Sequence, residues 1–87
     1  MRSKPWFVYI AKAQDSSLYT GISPDPKIRE NIHNSGKGAK SLRGKLPVTL
    51  VYCEQHPDKG SAAKRESLIK NWKREYKIKL INKFVEL

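Results

Sequence analysis

The stretch Tyr19-Thr20-Gly21-Ile22-Ser23-Pro24-Asp25-Pro26-Lys27-Ile28-Arg29-Glu30-Asn31-Ile32-His33 decides how the rest of the chain reads. Leu18 to Ile22 is rich in aromatic and β-branched residues and reads as a short strand. Tyr19 and Gly21 share one face of it, and the missing side chain at Gly21 would let a ligand or backbone approach closely. Ser23-Pro24-Asp25-Pro26 then signals a helix start, with Asp25 as N-cap and Pro26 at the first helical position, where its absent N–H costs nothing. Ile28 and Ile32 form an i,i+4 apolar stripe expected to dock that helix. Arg29 and His33 form a parallel stripe about 100° around the axis, at the edge of the contact. Asn34-Ser35-Gly36 ends the helix. Strand, turn and helix together bring a phenol, a guanidinium and an imidazole near one another, a set suited to chemistry on a phosphate.

Upstream, Pro5 precedes Trp6-Phe7-Val8-Tyr9-Ile10-Ala11, a strand with Trp6, Val8 and Ile10 on one face and Phe7, Tyr9 and Ala11 on the other. Apolar residues on both faces imply a central strand covered on two sides. The turn cluster Gln14-Asp15-Ser16-Ser17 is short, so this strand and the next form an antiparallel hairpin. Downstream, Gly36 to Lys45 is a loop carrying Lys37, Lys40, Arg43 and Lys45 and no acid. It lacks the Gly-Lys-Ser/Thr triplet and the leading strand of a phosphate-cradling P-loop, and it reads as a mobile basic loop for a nucleic-acid backbone. Pro47 opens a third strand, Val48 to Glu54. A helix is expected from Ser61, as N-cap, to about Arg74, with Ala62, Ile69, Trp72 and Tyr76 on one arc and Glu66 bordering it. Arg65 also falls in that arc, as a snorkelling side chain. Ile78, Leu80, Ile81, Phe84, Val85 and Leu87 in the Lys-rich tail suggest a further helix.

The 87 residues suit one domain, 1–87, of α+β class, with no repeat and no low-complexity segment. Lys and Arg number 18 against 8 Asp and Glu, a formal charge of +10, which points to a polyanionic partner, nucleic acid above all. The single cysteine, Cys53, excludes an internal disulfide and sits in an apolar run, where a thiol behaves as a small hydrophobe. No stretch is long and apolar enough for a membrane span or a signal peptide, so a cytoplasmic setting is expected.

Val8-Tyr9-Ile10, then Tyr19-Thr20-Gly21, then Arg29 and His33, then Glu66 form an ordered set that resembles the GIY-YIG nuclease family. The likeness runs from about Trp6 to about Leu80 and is strongest to the small stand-alone YhbQ-type members, whose His-Asn-Ser-Gly-Lys-Gly-Ala-Lys run stands unbroken here from His33 to Lys40. Arg43, Pro47, Leu50, Val51, Tyr52 and Glu54 fit the same pattern. Thr20 replaces the isoleucine of the family's second triplet.

The resemblance implies a three-stranded antiparallel sheet flanked by about three helices, and divalent-metal-dependent hydrolysis of phosphodiester bonds. By that likeness Glu66 is the metal-ligating acid for one Mg²⁺ or Mn²⁺, and Arg29 steadies charge on the scissile phosphate. Tyr9 is the general base, and Tyr19 and His33 orient water or assist proton transfer. DNA or structured nucleic acid is the expected substrate, with little sequence preference, because there is no second domain to choose a target; a partner protein could supply one. The alternative is a nucleic-acid-binding module on the same scaffold with vestigial catalysis, or an RNA-associated accessory protein.

Overall fold

A computed structural model describes residues 4–85. The order is β1 (Trp6–Lys12), β2 (Leu18–Ser23), α1 (Pro26–Asn34), a short 3₁₀ turn (Lys40–Leu42), β3 (Thr49–His56), α2 (Lys59–Lys70) and α3 (Arg74–Val85). The strands form one antiparallel sheet in the order β2-β1-β3. β1 is therefore central, as its two apolar faces require. The tail hydrophobics of α3 include Leu80 and Ile81, which pack on the core, whereas Leu87 lies outside the described residues.

The sheet separates two apolar clusters. On one face Val8, Ile10 and Tyr52 pack against Ala62 and Ile69 of α2, with Trp72, Leu80 and Ile81 around them. On the other, Tyr9, Ala11 and Ala13 pack with Leu42 and Val48. A register shift between Ile10 and Ala11 lets β3 serve both: Tyr52 pairs with Ile10 and Leu50 with Ala11, leaving Val51 between them. Cys53 is half-buried beside the second cluster, and burial pushes its thiol up in pKa.

Several features depart from the sequence reading. First, α1 does not dock through Ile28 and Ile32; Ile28 is 56% exposed. The helix turns Glu30 and His33 inward instead, and the exposed Asn34 reaches across to the backbone of Val48. The Glu30 carboxylate accepts the Leu50 N–H at 2.7 Å and pairs with Lys27 at 2.7 Å. The Asn34 amide accepts from the Val48 N–H at 2.7 Å and donates to the Val48 carbonyl at 3.0 Å. Hydrogen bonds to free strand-edge peptides seat this helix where an apolar stripe was expected.

Second, α2 starts a turn earlier than expected, because Asp58 is its N-cap and accepts the Ser61 N–H at 2.8 Å. Third, it ends at Lys70 with Asn71 as C-cap, so Arg74 and the half-exposed Tyr76 belong to α3. Arg65 does not snorkel: its Nε donates to Glu54 at 3.0 Å and its guanidinium lies 5.2 Å from the Trp72 ring. Tyr52 and His56 also bond to Glu54. Burial alone would raise the Glu54 pKa, but these hydrogen bonds hold it below the usual carboxylate range. Fourth, the basic loop is pinned. Leu42 is buried in the core, and the Gln14 N–H bonds to the Lys45 carbonyl at 2.9 Å.

Candidate active site

Tyr9 leaves the middle of β1 directly opposite Gly21 of β2. A Cβ on Gly21 would stand 2.6 Å from the Tyr9 hydroxyl, so at this glycine, where a ligand or backbone was expected to approach, it is the Tyr9 phenol that comes close. The Tyr9 side chain is only 1% exposed. Its ring lies across β2 and reaches α1, where the hydroxyl is 2.9 Å from Nε2 of His33. Tyr19, two residues before Gly21 on the same face, closes the aromatic group. Its ring centroid is 6.1 Å from that of Tyr9 and 5.2 Å, edge-on, from that of His33.

Asp25 sets the start of α1, accepting the Ile28 N–H at 3.1 Å with Pro26 at the first turn. That start fixes the phase of Arg29 and His33, one turn apart on the side facing the cleft. His33 is 3% exposed, and its Nδ1 accepts the Ala39 N–H at 3.2 Å. Glu66 approaches from α2. Tyr9, Tyr19, Gly21, Ile22, Arg29, His33, Ala39 and Glu66 together line a cleft of about 270 Å³.

The five side chains expected to act together therefore meet, from two strands and two helices. The cations expected to hold nucleic acid do not enter the cleft. Lys37, Lys40 and Arg43 are exposed on the loop beyond His33, and Lys45 pairs with Asp15 of the hairpin turn at 3.6 Å. Gly38, Ala39 and Ile22 were not singled out as site residues: Gly38 and Ala39 fall in the His33–Lys40 run that carries the family likeness, but their contacts with His33 exist only in the folded chain. A larger concavity of about 440 Å³ lies on α3, lined among the described residues by Trp72, Tyr76, Lys79, Leu80 and Lys83, with no acid or imidazole among them.

The electrostatics of the cleft are uneven. Burial pushes the Tyr9 phenol well above the usual tyrosine range; Tyr19 and the Glu66 carboxylate push the same way, and the Arg29 charge pulls against them. Burial, and then Arg29, hold the His33 pKa below its usual range, so the imidazole is neutral at pH 7. Among the described residues no group of three or more His, Cys, Asp or Glu surrounds a metal position. The donor set nevertheless fits a hard divalent ion that takes one carboxylate and fills its other positions with water and substrate oxygen. Glu66 is partly exposed and opens onto the cleft that Tyr9, Tyr19, Arg29 and His33 also line, and it pairs with Lys70 of the same helix at 3.6 Å.

Comparison with known proteins matches residues 5–80 to a family model described as the GIY-YIG catalytic domain. A UPF0213 protein of Staphylococcus epidermidis is 49% identical over 75 residues, covering 86% of this chain and 92% of that protein. One from Staphylococcus aureus is 48% identical over the same shares. The solution NMR structure of a UPF0213 protein from Bacillus halodurans superimposes with a TM-score of 0.58 at 38% identity, over 90% of this chain and 83% of that one. The solution NMR structure of an E. faecalis protein gives 0.64 at 31% identity, over 99% and 92%.

Proposed function

The chain belongs to the GIY-YIG family, a nuclease family, and on that premise we propose that its cleft hydrolyses phosphodiester bonds in DNA or structured nucleic acid with one divalent ion and little sequence preference. The observation that carries this reading is the convergence of Tyr9, Tyr19, Arg29, His33 and Glu66 on one cleft. A phenol, a guanidinium, an imidazole and a single carboxylate are what in-line attack of water on phosphorus asks for.

In this scheme Tyr9, once it has given its own proton to a solvent base in the cleft, takes the proton of the attacking water as a phenolate. A phenol so far above neutral is seldom ionised, and two neighbours favour its ionised form: the Arg29 charge, and His33, whose Nε2 lies 2.9 Å from the phenol oxygen and donates to it in one of its two tautomers. Arg29 meets the phosphate oxygens where charge builds in the transition state. Tyr19 packs against both Tyr9 and His33 and limits where water can stand. Glu66 would hold the Mg²⁺ or Mn²⁺, which when bound supplies Lewis-acid charge for the departing oxygen. Lys37, Lys40, Arg43 and Lys45 would follow the backbone and position it without reading sequence. The closeness of Glu66 and Arg29 to one phenol favours chemistry over simple binding, since a binding surface gains nothing from a buried Tyr–His pair.

The test is cleavage of supercoiled plasmid and branched DNA in Mg²⁺ or Mn²⁺. Wild-type protein is expected to cut, with the rate rising as pH rises toward the Tyr9 pKa. Tyr9→Phe, Arg29→Ala and Glu66→Ala should each lose at least about a hundredfold, while binding without metal persists. Cutting that survives Glu66→Ala overturns the metal assignment. Binding without cutting by every form leaves the binding-module reading.

A further inference from the structure

We infer that the Gly38–Ala39 peptide turn is a positioning element for the reaction proposed above, because its amide fixes His33 in the tautomer that donates to Tyr9. A backbone N–H can only donate, so the nitrogen that accepts from Ala39, Nδ1, carries no proton. A neutral imidazole has one N–H, which must then sit on Nε2, 2.9 Å from the Tyr9 hydroxyl. Both ring nitrogens are engaged, and the ring is buried, so the exchanged tautomer would set two N–H groups against each other with no water to relieve them.

The consequence bears on which group moves the proton. His33 cannot take the Tyr9 proton through Nε2, because that nitrogen already holds one. The Tyr9 oxygen accepts from His33, so its own hydrogen turns away from the imidazole. When that hydrogen passes to a solvent base through the cleft, the phenolate keeps the His33 donor and can then take the proton of the attacking water. His33 acts in this arrangement as a fixed donor, and Tyr9 alone faces the attacking water.

Gly38 is what lets the turn come so near. A Cβ there would stand 2.1 Å from Nδ1 and 2.7 Å from the Cα of His33, and the second clash is with backbone that cannot swing aside. This differs from Gly36 and Gly44, whose positive φ values call for glycine although open space surrounds them. The rest of the loop holds the turn in place: the Gly36 N–H bonds to the His33 carbonyl at 3.0 Å, and Leu42 is buried beyond it.

The test begins with wild-type protein and no substrate, reading the His33 ring nitrogens by long-range ¹⁵N–¹H NMR at neutral pH. The expected result is a protonated Nε2 and an unprotonated Nδ1; the reverse pattern, or two averaged shifts, overturns the lock. Gly38→Ala should then average the His33 shifts while the amide spectrum of the sheet stays in place. Its kcat should fall about tenfold or more, with nucleic-acid affinity within about twofold. An unchanged His33 signature in that variant overturns the role of Gly38. The NMR result stands apart from catalysis, so a protein that never cuts would sink the nuclease reading and leave the tautomer decided.

Discussion

Thr20 faces Ile10 across the β1–β2 ladder, is 4% exposed, and its hydroxyl has no hydrogen-bond partner among the described residues. A buried unpaired hydroxyl costs about 1–3 kcal/mol. Thr20→Val keeps the shape and removes the polar atom, so it should stabilise the protein by about 1 kcal/mol. For a chain of this size that corresponds to a melting temperature higher by about 4–8 °C, read by thermal unfolding. A melting temperature that stays level or falls would mean that the hydroxyl is satisfied after all. Gly21, next along the strand, shows where residue-level reading stops. Period-2 alternation placed it on the face of Tyr19, and the absent side chain promised space. What occupies the space is a tyrosine from the neighbouring strand, and no local pattern encodes that choice.

Elements were most legible where short-range chemistry decides them. The hairpin turn, the Asp25–Pro26 start of α1 and the aromatic, β-branched strands all follow from neighbours within a few positions. The docking side of α1 was not legible, because it is polar: Glu30 and Asn34 look like a solvated face until β3 supplies free peptide groups. For α2, Asp58 and Ser61 both suit an N-cap, and Asp58 prevails because its carboxylate reaches the Ser61 N–H. The buried Glu30 gives α1 a pH signature. Its hydrogen bond with Lys27 is the main cause that lowers its pKa, with the Leu50 N–H adding to it, against burial. A carboxyl with a depressed folded-state pKa contributes stability above its unfolded value, near 4.5, and loses it as pH falls through the folded value. Glu30→Gln should be about 1–2 kcal/mol less stable at pH 7. Its urea midpoint should then fall less steeply than that of wild type as pH drops from about 5 to 3. Parallel curves would remove Glu30 from the acid sensitivity.

Across the whole molecule, a charge of +10 makes any grip on nucleic acid depend on salt. Lys37, Lys40 and Arg43 are exposed and make no ion pair among the described residues, whereas Lys45 already pairs with Asp15. On duplex DNA each lost phosphate contact should lower the slope of log K against log salt by about 0.9. Changing Lys37, Lys40 or Arg43 to Gln should do so, with the smallest change for Lys45→Gln. Equal effects at all four positions would make the footprint diffuse. At this scale the candidate site was legible only as an ordered set. The spacings of Tyr9, Tyr19, Arg29, His33 and Glu66 are generic one by one, and family likeness tied them together. Contacts such as Gly38 on His33 depend on how the loop folds back, which no periodicity reports. The seating of α1 has one more effect. Asn34 occupies both peptide groups of Val48, and Glu30 takes the N–H of Leu50, where β3 begins. A sheet edge with those groups engaged offers no template to another molecule's strand. The helix that carries Arg29 and His33 therefore also caps the start of this edge strand, leaving those peptide groups closed to a strand from another copy of the chain.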